Sequence, residues 1–122
     1  MQEYKTHKDL VVWQKSMDMV VTVYRATECM PKSELYGLTS QIRRAAVSVP
    51  ANIAEGAARN HSREFIQFLY VALGSLAELE TELLLAERLQ FIELSLIPDV
   101  TEIKMMLLGL IKKVKARDVG SK

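Results

Sequence analysis

One stretch decides how this chain folds: residues 41–56, with the sequence QIRRAAVSVPANIAEG. On a helical wheel, at about 100° per residue, it carries an apolar stripe and a polar stripe. The apolar stripe consists of Leu38, Ile42, Ala46, Val49, Ile53 and Ala57, and the polar stripe of Gln41, Arg44, Ser48, Asn52, Glu55 and Arg59. Pro50 lies inside this pattern, where its ring removes one backbone donor and crowds the preceding turn. Because both stripes keep their phase across Pro50, the sequence predicts one helix over residues 38–59, kinked at the proline.

The third side of this helix carries mostly small or apolar residues instead of the usual solubilising charge. These residues are Val47, Pro50, Ala51, Ala54 and Ala58, accompanied by Arg43. A helix of a four-helix bundle normally buries one stripe, so a second apolar side indicates contact with another subunit. The sequence therefore predicts a homo-oligomer, with the five small or apolar residues in its interface.

Three further helices are predicted from apolar residues spaced alternately by three and four, at about 10–29, 62–88 and 97–116. Their apolar stripes are Leu10, Trp13, Met17, Val20 and Tyr24; Phe65, Leu69, Ala72, Leu76, Leu79, Leu83 and Ala86; and Val100, Ile103, Leu107, Leu110 and Val114. The predicted N-caps are Asp9, Ser62, and either Ser95 or Asp99. Gly74 is expected to allow a close approach from another helix. Short connections between the helices predict the all-α class, as an antiparallel up-down-up-down four-helix bundle with residues 1–122 in one domain.

Composition fits a folded domain: 49% of the 122 residues are hydrophobic and 25% are charged. The net charge of +1 gives no overall attraction to nucleic acid or membrane, but its distribution is uneven. Residues 111–122 hold five basic residues and one acid, whereas residues 64–93 hold six acids and one base. The single cysteine, Cys29, suits a reducing cytoplasm. Polar residues interrupt the longest apolar stretch, so no membrane span is expected.

Residues that could support catalysis or bind a metal are sparse. A di-iron bundle needs Glu-x-x-His on two helices, and this motif is missing from the sequence. His7 and His61 fall outside the predicted helix interiors, and Cys29 has no neighbouring pattern typical of a nucleophile. Phosphate-binding loops and zinc-ligand spacings do not occur either. We therefore expect no catalytic residues, no metal and no cofactor, and a metal-binding bundle or an enzyme is the weaker alternative.

The polar stripe of the second helix has two interpretations. In the first it is a half-buried network of Arg44, Ser48, Asn52 and Glu55. Either Arg44 or Arg59 pairs with a carboxylate, for which Glu80 of the third helix is a candidate, while Ser48 and Asn52 satisfy one another or a backbone group. In the second it is a nucleic-acid surface with phosphate contacts from basic residues. That set consists of Arg43, Arg44, Arg59 and Arg63, joined by Lys112, Lys113, Lys115 and Arg117 near the C-terminus. We favour the network, because phosphate-binding surfaces usually have denser basic clusters.

Several segments resemble one known family. Besides residues 41–56, they are Arg59-Asn60, residues 64–69 (EFIQFL), residues 10–15 (LVVWQK) and residues 74–81 (GSLAELET). Together they resemble the bacterial four-helix-bundle proteins encoded in intervening sequences of large-subunit ribosomal RNA genes, which are loosely labelled ribosomal proteins. The resemblance covers nearly the whole chain and implies an up-and-down bundle that assembles as a ring-shaped homopentamer.

The same resemblance leads to a relative, the accessory protein of diversity-generating retroelements. That relative is a basic pentameric barrel that binds nucleic acid and a reverse transcriptase, whereas this chain has a net charge of only +1. We therefore expect a non-enzymatic, cytoplasmic homo-oligomer, pentameric by resemblance, whose partner is RNA or an RNA-associated protein. The alternative is a structural scaffold for protein interactions that binds no nucleic acid.

Overall fold

A computed structural model describes the backbone of residues 5–120 and the side chains of residues 5–117. Within this range the chain forms four α-helices and no strand. The helices are α1 (Val11–Ala26), α2 (Leu38–Ala57), α3 (Ser62–Arg88) and α4 (Thr101–Gly120). Short 3-10 turns occur at His7–Asp9, Thr27–Cys29, Lys32–Glu34 and Leu94–Leu96. The all-α class and the four helices are confirmed.

The helices pack in the order of the chain. The α2–α3 pair has the most extensive contact, α1 packs on α2, and α4 packs on α3. α2 and α3 run antiparallel, because Ser48 lies beside Ser75 while Gly56 lies against Phe65 and Phe68. The up-and-down direction of the other pairs stays a prediction.

All four helices contribute apolar side chains to a single core. The fully buried ones include Val23 from α1, Ile42, Val49 and Ile53 from α2, Leu69, Leu79 and Leu83 from α3, and Leu107 from α4. The predicted stripe of α3 is buried at every position. Three heptads of regular spacing therefore identified the buried face of this helix.

The predicted stripe of α1 is wrong by about one residue. The buried residues are Val12, Ser16, Met19, Val23 and Ala26. Of the predicted stripe, Met17 and Tyr24 are exposed, whereas Leu10, Trp13 and Val20 are partly buried. The buried register was obscured because it contains Ser16, whose hydroxyl donates to the Trp13 carbonyl oxygen at 2.8 Å. A serine that satisfies its hydroxyl in this way can lie in a core.

Pro50 does not interrupt α2. The helix continues over 20 residues from Leu38 to Ala57, and Pro50 is buried inside it. One contact at the start of the helix was missing from the sequence prediction: the Glu34 carboxylate accepts a hydrogen bond from the Leu38 N–H at 3.1 Å. This carboxylate satisfies one of the free donors in the first turn of α2. The bend expected at Pro50 stays a prediction.

Two predicted helix caps are wrong. Leu10, not Asp9, is the N-cap of α1. The Asp9 carboxylate instead accepts from the backbone N–H groups of Lys5 and Thr6 at 2.8 and 3.3 Å, which closes the preceding 3-10 turn. These hydrogen bonds lower the pKa of Asp9. His61, not Ser62, is the N-cap of α3, because Ser62 is already the first residue of that helix.

The start of α4 is also later than predicted. The helix begins at Thr101 rather than at residue 97, so Pro98 precedes it instead of lying in its first turn. Of the two suggested caps, Asp99 makes the contact: its carboxylate accepts from the Thr101 N–H at 2.9 Å. The backbone hydrogen bond is the main cause that lowers the pKa of Asp99.

Candidate functional site

A short polar network joins α2 to α3. The hydroxyl oxygens of Ser48 and Ser75 lie 2.8 Å apart. The Asn52 amide donates to both the carbonyl oxygen and the hydroxyl oxygen of Ser48, at 2.8 and 2.9 Å. All three side chains are half-buried, and each has a hydrogen-bond partner. Ser75 was not predicted as a member of the network. Its small polar side chain, next to Leu76 of the apolar stripe, could have indicated it.

The other predicted members lie outside this network. Arg44, Glu55 and Glu80 are exposed, so none of them is a buried charge. The Glu55 carboxylate pairs instead with Arg59, one turn later on α2, at 3.1 Å. The wheel placed Glu80 at the edge of the α3 stripe, but Ser75 shows that α2 packs on the opposite edge. The predicted pairing of Arg44 with Glu80 is therefore wrong, and of the two candidate arginines Arg59 is the one that pairs with a carboxylate.

The shielded carboxylate of α3 belongs to Glu82, which lies seven residues after Ser75 on the same edge of the helix. One of its carboxylate oxygens is buried and has no hydrogen-bond partner among the described residues. This burial raises the pKa of Glu82, and the negative charge of Glu78 raises it further. Glu82 is thus a carboxylate that the fold destabilises in its ionised form.

Arg43 and Arg59 are occupied by contacts within the chain. Arg43 donates to the Thr27 hydroxyl at 3.0 Å and to the Tyr24 carbonyl oxygen at 3.3 Å, and its guanidinium lies 4.6 Å from the centre of the Tyr24 ring. Arg59 pairs with Glu55 and, at 3.8 Å, with Glu64, and its guanidinium lies over the Phe68 ring. Both arginines therefore hold helices together, which leaves them less available to a ligand.

The remaining basic residues divide into two groups. Lys115 donates to the Tyr70 hydroxyl at 3.0 Å, so the second half of α4 lies beside the first half of α3. Arg63 and the α4 residues Lys112, Lys113, Lys115 and Arg117 consequently lie toward one end of the bundle. Arg44 lies in the other half of the bundle, beside Arg43. Arg44, Arg63 and Lys112 are exposed, and no hydrogen bond or ion pair joins them to another described residue.

The outer face of α2 is largely free of its own subunit. Val47 is 42% exposed, Ala51 and Ala58 are exposed, and Ala54 is half-buried. Pro50, however, is buried and cannot meet another subunit, which corrects its assignment to the interface. It lies seven residues after Arg43, on the side of α2 that faces α1.

A groove with a volume of about 670 Å³ lies along the first half of α2, beside Tyr24 of α1. It is lined by Tyr24, Leu35, Tyr36, Thr39, Ser40, Arg43, Arg44, Val47 and Ser48. The hydroxyl oxygen of Thr39 is buried and has no hydrogen-bond partner among the described residues. Met17 and Val21 of α1 are exposed apolar residues as well. We call this groove, together with the outer face of α2, the α1–α2 face.

Among the described side chains, no group of three or more His, Cys, Asp or Glu residues is placed to hold a metal ion. In the part of the chain that the structure describes, no helix combines the length and the apolar character that a membrane span requires.

Comparison with protein families gives one match. The model of the family described as 23S rRNA-intervening sequence protein matches residues 8–109. The matched range contains α1, α2 and α3 and the first half of α4, whereas the basic residues at positions 112–117 follow it. No curated protein shows significant similarity to the chain.

Proposed function

The chain belongs to the 23S rRNA-intervening sequence protein family, and we propose that it acts as a non-enzymatic, cytoplasmic homo-oligomer of helical bundles. The observation that carries the proposal is the exposed apolar surface of α1 and α2, since Val47 and Ala51 of α2 and Met17 and Val21 of α1 are all exposed. Exposed apolar surface marks interaction sites, and its burial releases about 25 cal/mol per Å². We propose a pentamer, the number that the family resemblance implies.

The oligomer is tested by measuring mass in solution. Light scattering after size exclusion, at 10–100 µM protein (roughly the range in which weak assemblies form), should give about 69 kDa, five times the 13.8 kDa of one chain. Ala51→Arg should convert the assembly to smaller species, because it places a charge in the centre of the outer face of α2. Ala77→Arg, at an exposed position of α3, is the matched control. A wild-type protein that stays at 13.8 kDa would overturn the proposal.

We further propose RNA as the partner of this oligomer, bound at the basic end of the bundle. The supporting observation is the accumulation of Arg63, Lys112 and the other basic residues of α4 at that end, with Arg63 and Lys112 exposed. A ring would repeat this basic cluster in every subunit. Phosphate groups could then be contacted by several subunits at once, which raises affinity without new kinds of contact.

RNA binding is tested by titrating a structured RNA at two salt concentrations. Affinity should fall as salt rises, because phosphate contacts release counterions. The double variant Arg63→Ala/Lys112→Ala should bind more weakly and depend less steeply on salt. Lys104→Ala, exposed in the first turn of α4, is the control that should leave binding unchanged. No binding at low salt would overturn the RNA proposal in favour of the scaffold for protein interactions.

A further inference from the structure

Tyr36 projects from the surface of its own subunit. Its side chain is 94% exposed, the largest value for any large hydrophobic residue in the described part of the chain. It lies in the turn just before α2 and lines the α1–α2 groove together with Arg44. An aromatic ring left almost fully in water contributes nothing to the core, but it is the type of side chain that anchors protein interfaces.

A depression of about 760 Å³ lies between the end of α1 and the connection that follows α3. Its lining is Cys29, Glu87, Gln90, Phe91, Ile92, Glu93, Leu94 and Leu96. Leu94 is 62% exposed, so the apolar part of the depression is open to solvent. The Sγ atom of Cys29 lies 3.5 Å from the Phe91 carbonyl oxygen, which holds the two walls together. The space is ample for one phenol ring.

Tyr36 and the depression lie at the same end of the bundle. Arg43, in the second turn of α2, contacts Thr27 just after α1, and Cys29 contacts Phe91 just after α3. The beginning of α2 and the ends of α1 and α3 are therefore at one level along the helices. In a ring whose axis runs parallel to the helices, surfaces that meet across a subunit boundary must share that level.

The charges of the two surfaces are complementary. Arg44 is exposed beside Tyr36 and has no ion-pair partner among the described residues. The depression carries two carboxylates, Glu87 and Glu93, and neither has an ion pair with a described residue. Opposite charges on two surfaces of one chain favour a head-to-tail contact between copies and disfavour each surface meeting itself.

We propose that Tyr36 of one subunit inserts into the depression of the next subunit, with Arg44 facing Glu93 across the boundary. The inference rests on the homo-oligomer proposed above and names the contact that joins its subunits. Because two different surfaces of the chain meet, the contact is heterologous, which is the type of contact that builds a ring when its rotation closes. The occupant of the depression is thus a second copy of this chain.

Cys29 makes the proposal directly testable, because it lies in the wall of the depression and is the chain's only cysteine. In the variant Tyr36→Cys, which keeps Arg44 and Glu93, mild oxidation at a concentration at which the variant still assembles should link the introduced thiol of one subunit to Cys29 of the next. The disulfide requires that the two β-carbons lie within about 4.5 Å. Non-reducing gels should show a ladder of covalent oligomers. The ladder should disappear when Cys29→Ser is added. Leu35→Cys, one residue earlier, is the matched control and should cross-link far less.

The charge pairing has its own test. Arg44→Glu and Glu93→Arg should each raise the dissociation constant of the oligomer at least tenfold, and the double variant should restore most of that loss. Circular dichroism checks that each variant is folded. If the wild-type protein is an oligomer and the assembled Tyr36→Cys variant gives only monomeric oxidation products, this contact is overturned but the oligomer is not. Uncoupled effects of the two charge variants have the same consequence. A monomeric wild-type protein overturns both.

Discussion

A β-carbon placed on Gly56 would lie 2.7 Å from the β-carbon of Phe68 and 3.0 Å from a ring carbon of Phe65. Gly56 therefore packs directly against Phe65 and Phe68 of α3, at a place in α2 that has no room for a side chain. The Phe65 carbonyl oxygen, at 3.2 Å, adds a backbone atom that cannot turn away. Gly74, for which the sequence predicted such a close approach, faces open space within the subunit.

We predict that Gly56→Ala destabilises the protein by about 1–3 kcal/mol, because the added methyl group must push two helices apart. Alanine favours the helix over glycine by about 1 kcal/mol. The measured loss is therefore the cost of the steric clash minus this gain in helix propensity. Gly109→Ala is the matched control: its β-carbon meets nothing within 4 Å. That variant should gain up to about 1 kcal/mol. Urea unfolding of both variants measures the difference, and equal stabilities would contradict the close packing at Gly56.

Arg43 and Arg44 are adjacent in sequence but should respond differently to removal. Arg43→Ala should lower stability by about 1–3 kcal/mol, since it removes the hydrogen bonds to the Thr27 hydroxyl and the Tyr24 carbonyl oxygen and the contact with the Tyr24 ring. Arg44→Ala should change stability by less than about 0.5 kcal/mol, as expected for an exposed residue. Thermal unfolding at a protein concentration that keeps the chain monomeric distinguishes the two. A large loss of stability for Arg44→Ala would instead indicate that Arg44 forms the buried ion pair predicted from the sequence.

The serine pair between α2 and α3 should be energetically coupled. Ser48→Ala should cost about 1–2 kcal/mol, because Ser48 contacts both Ser75 and Asn52, and Ser75→Ala about 0.5–1.5 kcal/mol. The double variant should lose about 0.5–1 kcal/mol less than the sum of the two single losses, because each single variant already removes the hydrogen bond between the two hydroxyl groups. Double-mutant cycles from urea titrations measure this difference. Strict additivity would show that the two hydroxyl groups do not stabilise the helix contact.

The buried face of a helix could be predicted where only one face is strongly apolar. α3 has three regular heptads, and its whole predicted stripe is buried. α1 carries apolar residues on several sides, including Val11 and Val21, which are exposed. Periodicity then allows more than one register, and tertiary packing decides between them. The local pattern around Asp9 and Ser62 likewise identified a helix start, but not the capping residue.

The polar residues were harder to assign for a related reason. A wheel shows which residues share a face, but it does not show which edge of α3 the neighbouring α2 covers. That edge decides that Glu82 is shielded while Glu80 is exposed. The same information was needed to pair Ser48 with Ser75 and to find Pro50 buried. Tyr36 and the depression around Phe91 depend on connections, for which the sequence offered no periodic signal.

The ionisation of Glu82 should make stability depend on pH. Burial raises its pKa in the folded protein above the ordinary value of 4.5, with a further rise from Glu78. Well below pH 4.5 the group is protonated in both the folded and the unfolded chain. As pH rises through the raised pKa, the folded protein must accommodate a shielded charge, so this group's favourable contribution is lost. The wild-type protein should therefore be less stable at pH 7 than the variant Glu82→Gln.

The difference should reach at most about 1 kcal/mol, because one carboxylate oxygen is shielded while the side chain as a whole keeps contact with solvent. Urea unfolding of wild type and Glu82→Gln between pH 4 and pH 8 (roughly the range that spans the ordinary carboxyl titration and neutrality) measures it. The gap should close as pH falls below 4.5. Glu80→Gln, on the exposed surface of the same helix, should show little change. If the stability difference between wild type and Glu82→Gln stays constant with pH, it comes from packing rather than from the charge of Glu82.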